Sequence, residues 1–196
     1  MLINAEEKDV LQELVNIGVG GAAVALSGIM NREVILTFPR LEIFDLEQMK
    51  QYLRNREDVQ YVSVSQKVRG EFSGKGIISF TLQEGKTLLN ILLDNPDSPD
   101  YNFGIMEKET IQEVGNILIT AIFCSISDVT NTEASFELPE LTVSNQILSI
   151  GDESENSLYC LGKVNFSVEN TILNGRILFT LVYKDIKQII TKLLEI

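Results

Sequence analysis

The 196-residue chain has no histidine, no tryptophan, only two cysteines and only four prolines. Without histidine it lacks the usual neutral-pH general base, the usual zinc or iron ligand, and every Ser–His or Cys–His nucleophile. Any chemistry must come from carboxylates, amides, hydroxyls or a group that a partner supplies. Cys124 and Cys160 stand 36 residues apart, which suits neither a metal site nor a redox pair, so buried, reduced thiols of a cytoplasmic protein are expected. Basic side chains are scarce, 16 against 28 acidic, for a net charge of −12. That balance speaks against nucleic-acid binding, which needs a basic face to displace counterions. The opening MLINAEEKDV lacks a basic segment followed by an apolar run, so no signal peptide is expected. No apolar stretch is expected to reach the ~18–20 residues of a membrane span; GVGGAAVALSGIM is too short and too rich in glycine.

What the chain does have is a duplication. Residues 11–43 recur without a gap at 111–143, and nine of the 33 aligned positions are identical: Gln12/Gln112, Glu13/Glu113, Asn16/Asn116, Ile17/Ile117, Ser27/Ser127, Asn31/Asn131, Glu33/Glu133, Pro39/Pro139 and Leu41/Leu141. Average residue frequencies would give about two such matches by chance. Farther on, Gly76–Leu82 and Gly175–Leu181 repeat at an offset of 99.

Apolar residues at helical spacing predict a helix from about Ala5 to Met30, capped by Asn4 with Glu7, and its copy from about Ile105 to Thr130. The expected buried stripes are Leu11, Val15, Gly18, Ala22, Leu26 and Ile29, and Ile111, Gly115, Leu118, Ile122, Ile126 and Val129. Gly18, Gly20 and Gly21 weaken the first helix by up to ~1 kcal/mol each, which close packing against a neighbour would offset. A strand near a proline follows each helix, about Glu33–Phe44 and Glu133–Asn145. A short helix, about Leu46–Asn55, is expected in the first half only. Hairpins follow, about Gln60–Arg69 with Lys75–Gln83 and Ser157–Val168 with Thr171–Tyr183, and then helices around Thr87–Leu93 and Lys184–Leu194. Such hairpins with segregated helices predict an α+β fold. It would be one domain of two repeats, about 1–94 and 101–196, joined by a turn-rich linker at 94–100. Its single, mainly antiparallel six-stranded sheet would have a pseudo-twofold axis. A monomer is expected, since that sheet needs no partner.

Successive helical residues turn by 100°, so Asp9, Glu13 and Asn16 fall within a ~60° sector, opposite the apolar stripe. Glu109, Glu113 and Asn116 repeat the arrangement. Ile17 and Ile117 lie only ~40° from the glutamates, placing an apolar side chain on a polar face, as a docking surface would. Solvated helix residues would explain one such set. They explain less well why Glu-x-x-Asn persists in both copies while Val15 becomes Gly115 and Gly18 becomes Leu118.

The paired [Asp/Ser]-x-x-x-Glu-x-x-Asn helices, in a duplicated chain of this length, resemble the CheC/CheX/FliY chemotaxis phosphatases, and the two-centre form resembles CheC. Asp9-x-x-x-Glu13-x-x-Asn16 fits fully. Glu109-x-x-x-Glu113-x-x-Asn116 has Glu109 where the family usually has Asp or Ser. The resemblance implies a phosphatase for the phospho-aspartate of CheY, a small response regulator. Asn16 and Asn116 would hold the attacking water, and Glu13 and Glu113 would pair with a cation such as the regulator's lysine. Asp9 and Glu109 would be rim contacts, Ile17 and Ile117 apolar partner contacts. The protein would need no metal or cofactor of its own, because the regulator carries Mg²⁺. The alternative it implies is an adaptor that binds CheD or joins the flagellar switch with little hydrolysis. A FliY-type protein would carry a further domain for which this chain has no room, and a CheX-type protein would keep one motif.

Two weaker signals are set aside. Gly70–Gly76 is one residue short of a P-loop and reads as a hairpin turn. Gly151–Asn156 has the wrong ligand spacing for calcium and reads as a solvated loop.

Overall fold

The computed structural model describes residues 3–54, 59–93, 104–145, 157–168 and 171–194. The expected linker at 94–100 and the loop at 151–156 lie outside these residues. In chain order the elements are α1 (Ala5–Met30), β1 (Val34–Thr37), β2 (Leu41–Phe44), α2 (Leu46–Arg54), β3 (Tyr61–Gly70), β4 (Gly74–Thr81), α3 (Leu82–Leu92), α4 (Ile105–Thr130), β5 (Ala134–Phe136), β6 (Glu140–Ser144), β7 (Ser157–Val168), β8 (Thr171–Val182) and α5 (Tyr183–Leu194). The α+β architecture is as expected from sequence. The sheet has eight strand segments rather than six, because each strand that follows a long helix breaks at its proline, over 38–40 and 137–139. The segments still occupy six positions: β1 and β2 both pair with β7, β5 and β6 both pair with β3, and the path between runs β7-β8-β4-β3.

All pairings are antiparallel. β4 pairs with β8 such that Ile78 faces Ile177. The repeat offset of 99 makes these two residues equivalents of each other (78 + 99 = 177), so the pseudo-twofold axis passes through that pair. Its consequence is an exchange: β1 and β2 from the first repeat complete the hairpin of the second, and β5 and β6 from the second complete that of the first.

Helices α1 and α4 lie antiparallel on one face of the sheet: Ser125 Oγ donates to Leu14 O at 2.9 Å, while one turn along Gly18 meets Ile122. A Cβ on Gly18 would stand 2.4 Å from Ile122 Cα, so only glycine permits this approach. Gly20 and Gly21 have nothing within 4 Å, so close packing does not account for them. The stripes are buried as expected except at Ile29, which is 65% exposed beyond the end of the helix contact, and Val129, which is only partly buried. Both helices are long and apolar enough to cross a membrane by length and composition, contrary to the sequence expectation. Here their apolar residues form the main core with α3, α5 and alternate residues of the sheet. Met49 of α2 packs on the opposite face, over Tyr61, Ile77, Tyr159, Leu161 and Leu178.

The caps follow from local chemistry. Asn4 and Glu7 form a capping box on α1. A second box, Thr81 with Glu84, starts α3 at Leu82, five residues before the expected Thr87. Asn31 and Asn131 both end their helices in the left-handed region at φ 49°, which asparagine tolerates better than most residues. Gly70 closes β3 at φ 150° against Glu133 O, and residues 71–73 turn into β4, as expected of a hairpin.

Candidate active site

Each long helix presents its acidic and amide residues beside the proline break of the strand that follows it. Asp9, Glu13 and Asn16 of α1 are exposed, and Ile17 is 49% exposed. Glu109 and Glu113 of α4 are exposed as well, while Asn116 is half-buried. Ile117 departs from the expectation of a matching apolar contact: it packs partly against the core. In its neighbourhood the second copy offers Leu138, 88% exposed beside Pro139, whereas the equivalent Phe38 of the first copy is buried.

The glutamine before each motif glutamate ties its helix to the proline break. Gln12 Nε2 donates to Phe38 O at 3.1 Å, and its Oε1 accepts from Leu41 N–H at 2.6 Å. Backbone groups freed by the proline break are thereby satisfied by one side chain. Gln112 Nε2 donates likewise to Pro139 O at 2.7 Å. Composition and spacing give the glutamines no chemistry, yet their identity in both copies was the available signal.

The two asparagines are held differently. Asn16 Oδ1 accepts from Gln12 Nε2 at 3.3 Å, on the same helix and in the open. Asn116 Oδ1 accepts at 3.0 Å from Nε2 of Gln66, a residue of β3 only 4% exposed. Gln66 Nε2 also donates to Glu137 O at 2.9 Å. Because a backbone carbonyl can only accept, that bond fixes which end of the Gln66 amide faces the helix, and hence that the Asn116 oxygen points at it. Thr120 Oγ1 lies 3.4 Å from Asn116 Oδ1 and 3.5 Å from Gln66 Oε1. Its single proton can serve one of them at a time.

The sequence reading missed Gln66, although a signal existed. Val62, Val64 and Val68 alternate on the buried, helix-facing side of β3, and Gln66 is the polar member of that row.

Because the helices are antiparallel, Asn16 is level with about residue 124 of α4. Asn116 is eight residues from there (124 − 116), so the two asparagines are offset by ~12 Å along the helix axes. Each faces its own proline break at an opposite edge of the sheet. Two separate surfaces result between helix and proline break, termed troughs below, each with an exposed carboxylate, a carboxamide and an apolar neighbour. Such a set can bind a cation and hold a water, with no covalent step on the protein.

Among the described residues, no three acidic or thiol side chains converge as a metal site would require. Both cysteines are free: Cys160 is buried, which pushes its thiol up to about 12, and burial with nearby Asp128 raises Cys124. Neither has the lowered pKa of a reactive thiol.

Comparison with known proteins finds relatives in sequence and in fold. Residues 6–43, spanning the first motif and its proline break, match the model of the CheC-like family. The CheY-P phosphatase CheC of Bacillus subtilis strain 168 is 24% identical over 143 residues, covering 72% of this chain and 68% of that protein. Thermotoga maritima FliY superposes with a TM-score of 0.80 at 15% identity, over 100% of this chain and 99% of that one. CheX in a CheX–CheY–BeF3–Mg²⁺ complex from Borrelia burgdorferi gives a TM-score of 0.56 at 15% identity, over 87% of this chain and 99% of that one.

Proposed function

The chain belongs with the CheC/CheX/FliY proteins, and from that premise we propose that it hydrolyses the aspartyl phosphate of a CheY-like response regulator. The observation that carries the reading is the pair of troughs, each presenting Glu-x-x-Asn to solvent beside a proline break. The other residues identical in both copies largely have structural work: Gln12 and Gln112 hold the breaks, and Asn31 and Asn131 end the helices. Glu13 and Glu113 stay exposed, and Asn16 and Asn116 keep hydrogen-bonding capacity beyond their bonds to Gln12 and Gln66, which leaves these four for a partner.

An acyl phosphate is already activated, and the regulator brings the Mg²⁺ and lysine that neutralise its phosphoryl charge. The missing part is a water held in line with phosphorus. The carboxamides of Asn16 and Asn116 hold that water. Glu13 and Glu113 pair with the regulator's lysine and fix the helix against its pocket. Asp9 and Glu109 contact the rim, and Ile17 in one trough and Leu138 in the other supply apolar contact. The regulator is cytoplasmic, and so is this protein.

The test is loss of label from a CheY-like regulator phosphorylated with acetyl phosphate. Added protein should speed the loss. Replacing Asn16 and Asn116 together by alanine should slow it by about a hundredfold, the scale of misplaced catalytic geometry, with the circular-dichroism spectrum unchanged. A double variant as fast as the parent removes the amides from the mechanism. The adaptor reading keeps the same troughs but expects regulator or CheD binding by calorimetry with no faster loss of label.

A further inference from the structure

We propose that Gln66 is a positioning residue for Asn116, and that it makes the second trough the faster of the two. The inference rests on the hydrolytic reading above and assigns unequal work to its two centres. Three observations carry it.

The first is the anchoring. The Gln66 side chain is nearly fully buried, with its amine divided between Glu137 O at 2.9 Å and Asn116 Oδ1 at 3.0 Å. Both hydrogens of that amine are used, so the bond to Asn116 is aimed by a fixed backbone carbonyl. A carbonyl oxygen has two lone pairs. Gln66 takes one, and the Thr120 proton has Gln66 Oε1 as an alternative acceptor. One lone pair of Asn116 therefore remains for a water.

The second is that the first trough has no amide reaching across from the sheet. The repeat equivalents Leu41 and Leu141 pair with Gly162 and Val64 respectively. Two residues farther along those strands stand Val164 and Gln66. Likewise Gly20 occupies the place of Thr120. Asn16 takes a longer, 3.3 Å bond from Gln12 of its own helix; that amine is also shared with a backbone carbonyl, Phe38 O, but Gln12 is only partly buried where Gln66 is 4% exposed.

The third is burial. Asn116 is half-buried while Asn16 is exposed, so the second amide has less rotamer freedom to lose when the regulator docks. Immobilising a side chain costs about 0.5–1.5 kcal/mol, and here β3 has met that cost before the partner arrives.

The experiment separates the centres. N16A isolates the second trough and N116A the first, and N16A should retain the larger share of turnover. In the N16A background Gln66→Met should lower kcat by roughly three- to tenfold with KM unchanged, the range that the cost of one freed side chain implies. In the N116A background it should change nothing. Gln66→Leu, of similar bulk and with no donor, should give the same split if methionine disturbs the sheet. Equal effects in both backgrounds, or none in either, overturn the proposal. A readout independent of turnover is ¹⁵N relaxation of the side-chain amides: Asn116 should be rigid, Asn16 mobile, and Asn116 should become mobile in Gln66→Met. If the parent hydrolyses nothing, the reading of the troughs fails, and these relaxation data still decide whether Gln66 holds Asn116.

Discussion

Gly18 and Gly21 lie within one turn of the same helix and meet opposite surroundings. The space for a Cβ on Gly18 is filled by the Ile122 backbone, whereas Gly21 faces nothing within 4 Å. Gly18→Ala should therefore lower stability by about 1–3 kcal/mol, the usual cost of overpacking. Gly21→Ala should raise it by about 0.5–1 kcal/mol, through the entropy of the unfolded chain and better helix propensity. Urea denaturation midpoints of the two variants check both signs. The sequence suggested one role for all the helix glycines; distinguishing them needed the position of α4, which no local pattern carries. Glu13 and Asn16 stand out as candidates in the sequence because duplication supplies an internal comparison. Gln66 was not read from sequence, since it has no counterpart in the other half and acts across the sheet.

At the scale of elements, the long helices were readable to the residue because apolar positions recur over 26 residues and end at an asparagine. The strands after them were not, because a proline marks a break without saying how wide it is. Gln12 sets that width by taking both Phe38 O and Leu41 N–H out of the ladder. Helix α1 is tied to α5 by the Glu7–Lys187 ion pair. The Lys187 ammonium, with the Asn4 backbone, holds the Glu7 carboxyl below its ordinary value of 4.5. A carboxylate whose pKa is lower in the folded state adds stability above its unfolded pKa, and loses it as pH falls through the folded one. Glu7→Gln should therefore be less stable than the parent at pH 7, and the gap should close as pH falls below about 4.5. Thermal midpoints across that range test it; a gap that stays constant with pH would mean that charge plays no part.

Taken whole, the molecule cannot be divided where its sequence repeats. A duplicated sequence is equally compatible with each half pairing its own strands or lending them, because the same apolar faces are buried either way. The structure shows lending: β1 and β2 complete the second hairpin, β5 and β6 the first. Residues 1–94 and 101–196 expressed separately should each lack cooperative unfolding by circular dichroism. Mixed, they should recover it as a 1:1 complex, and a half that melts cooperatively alone contradicts this. The arrangement resembles two subunits reciprocally braced and then fused. An unfused pair would come apart on dilution, taking both clefts with it. Covalent linkage makes that association unimolecular, so the clefts persist however scarce the protein becomes. It also lets their amino acids drift apart without either losing its brace.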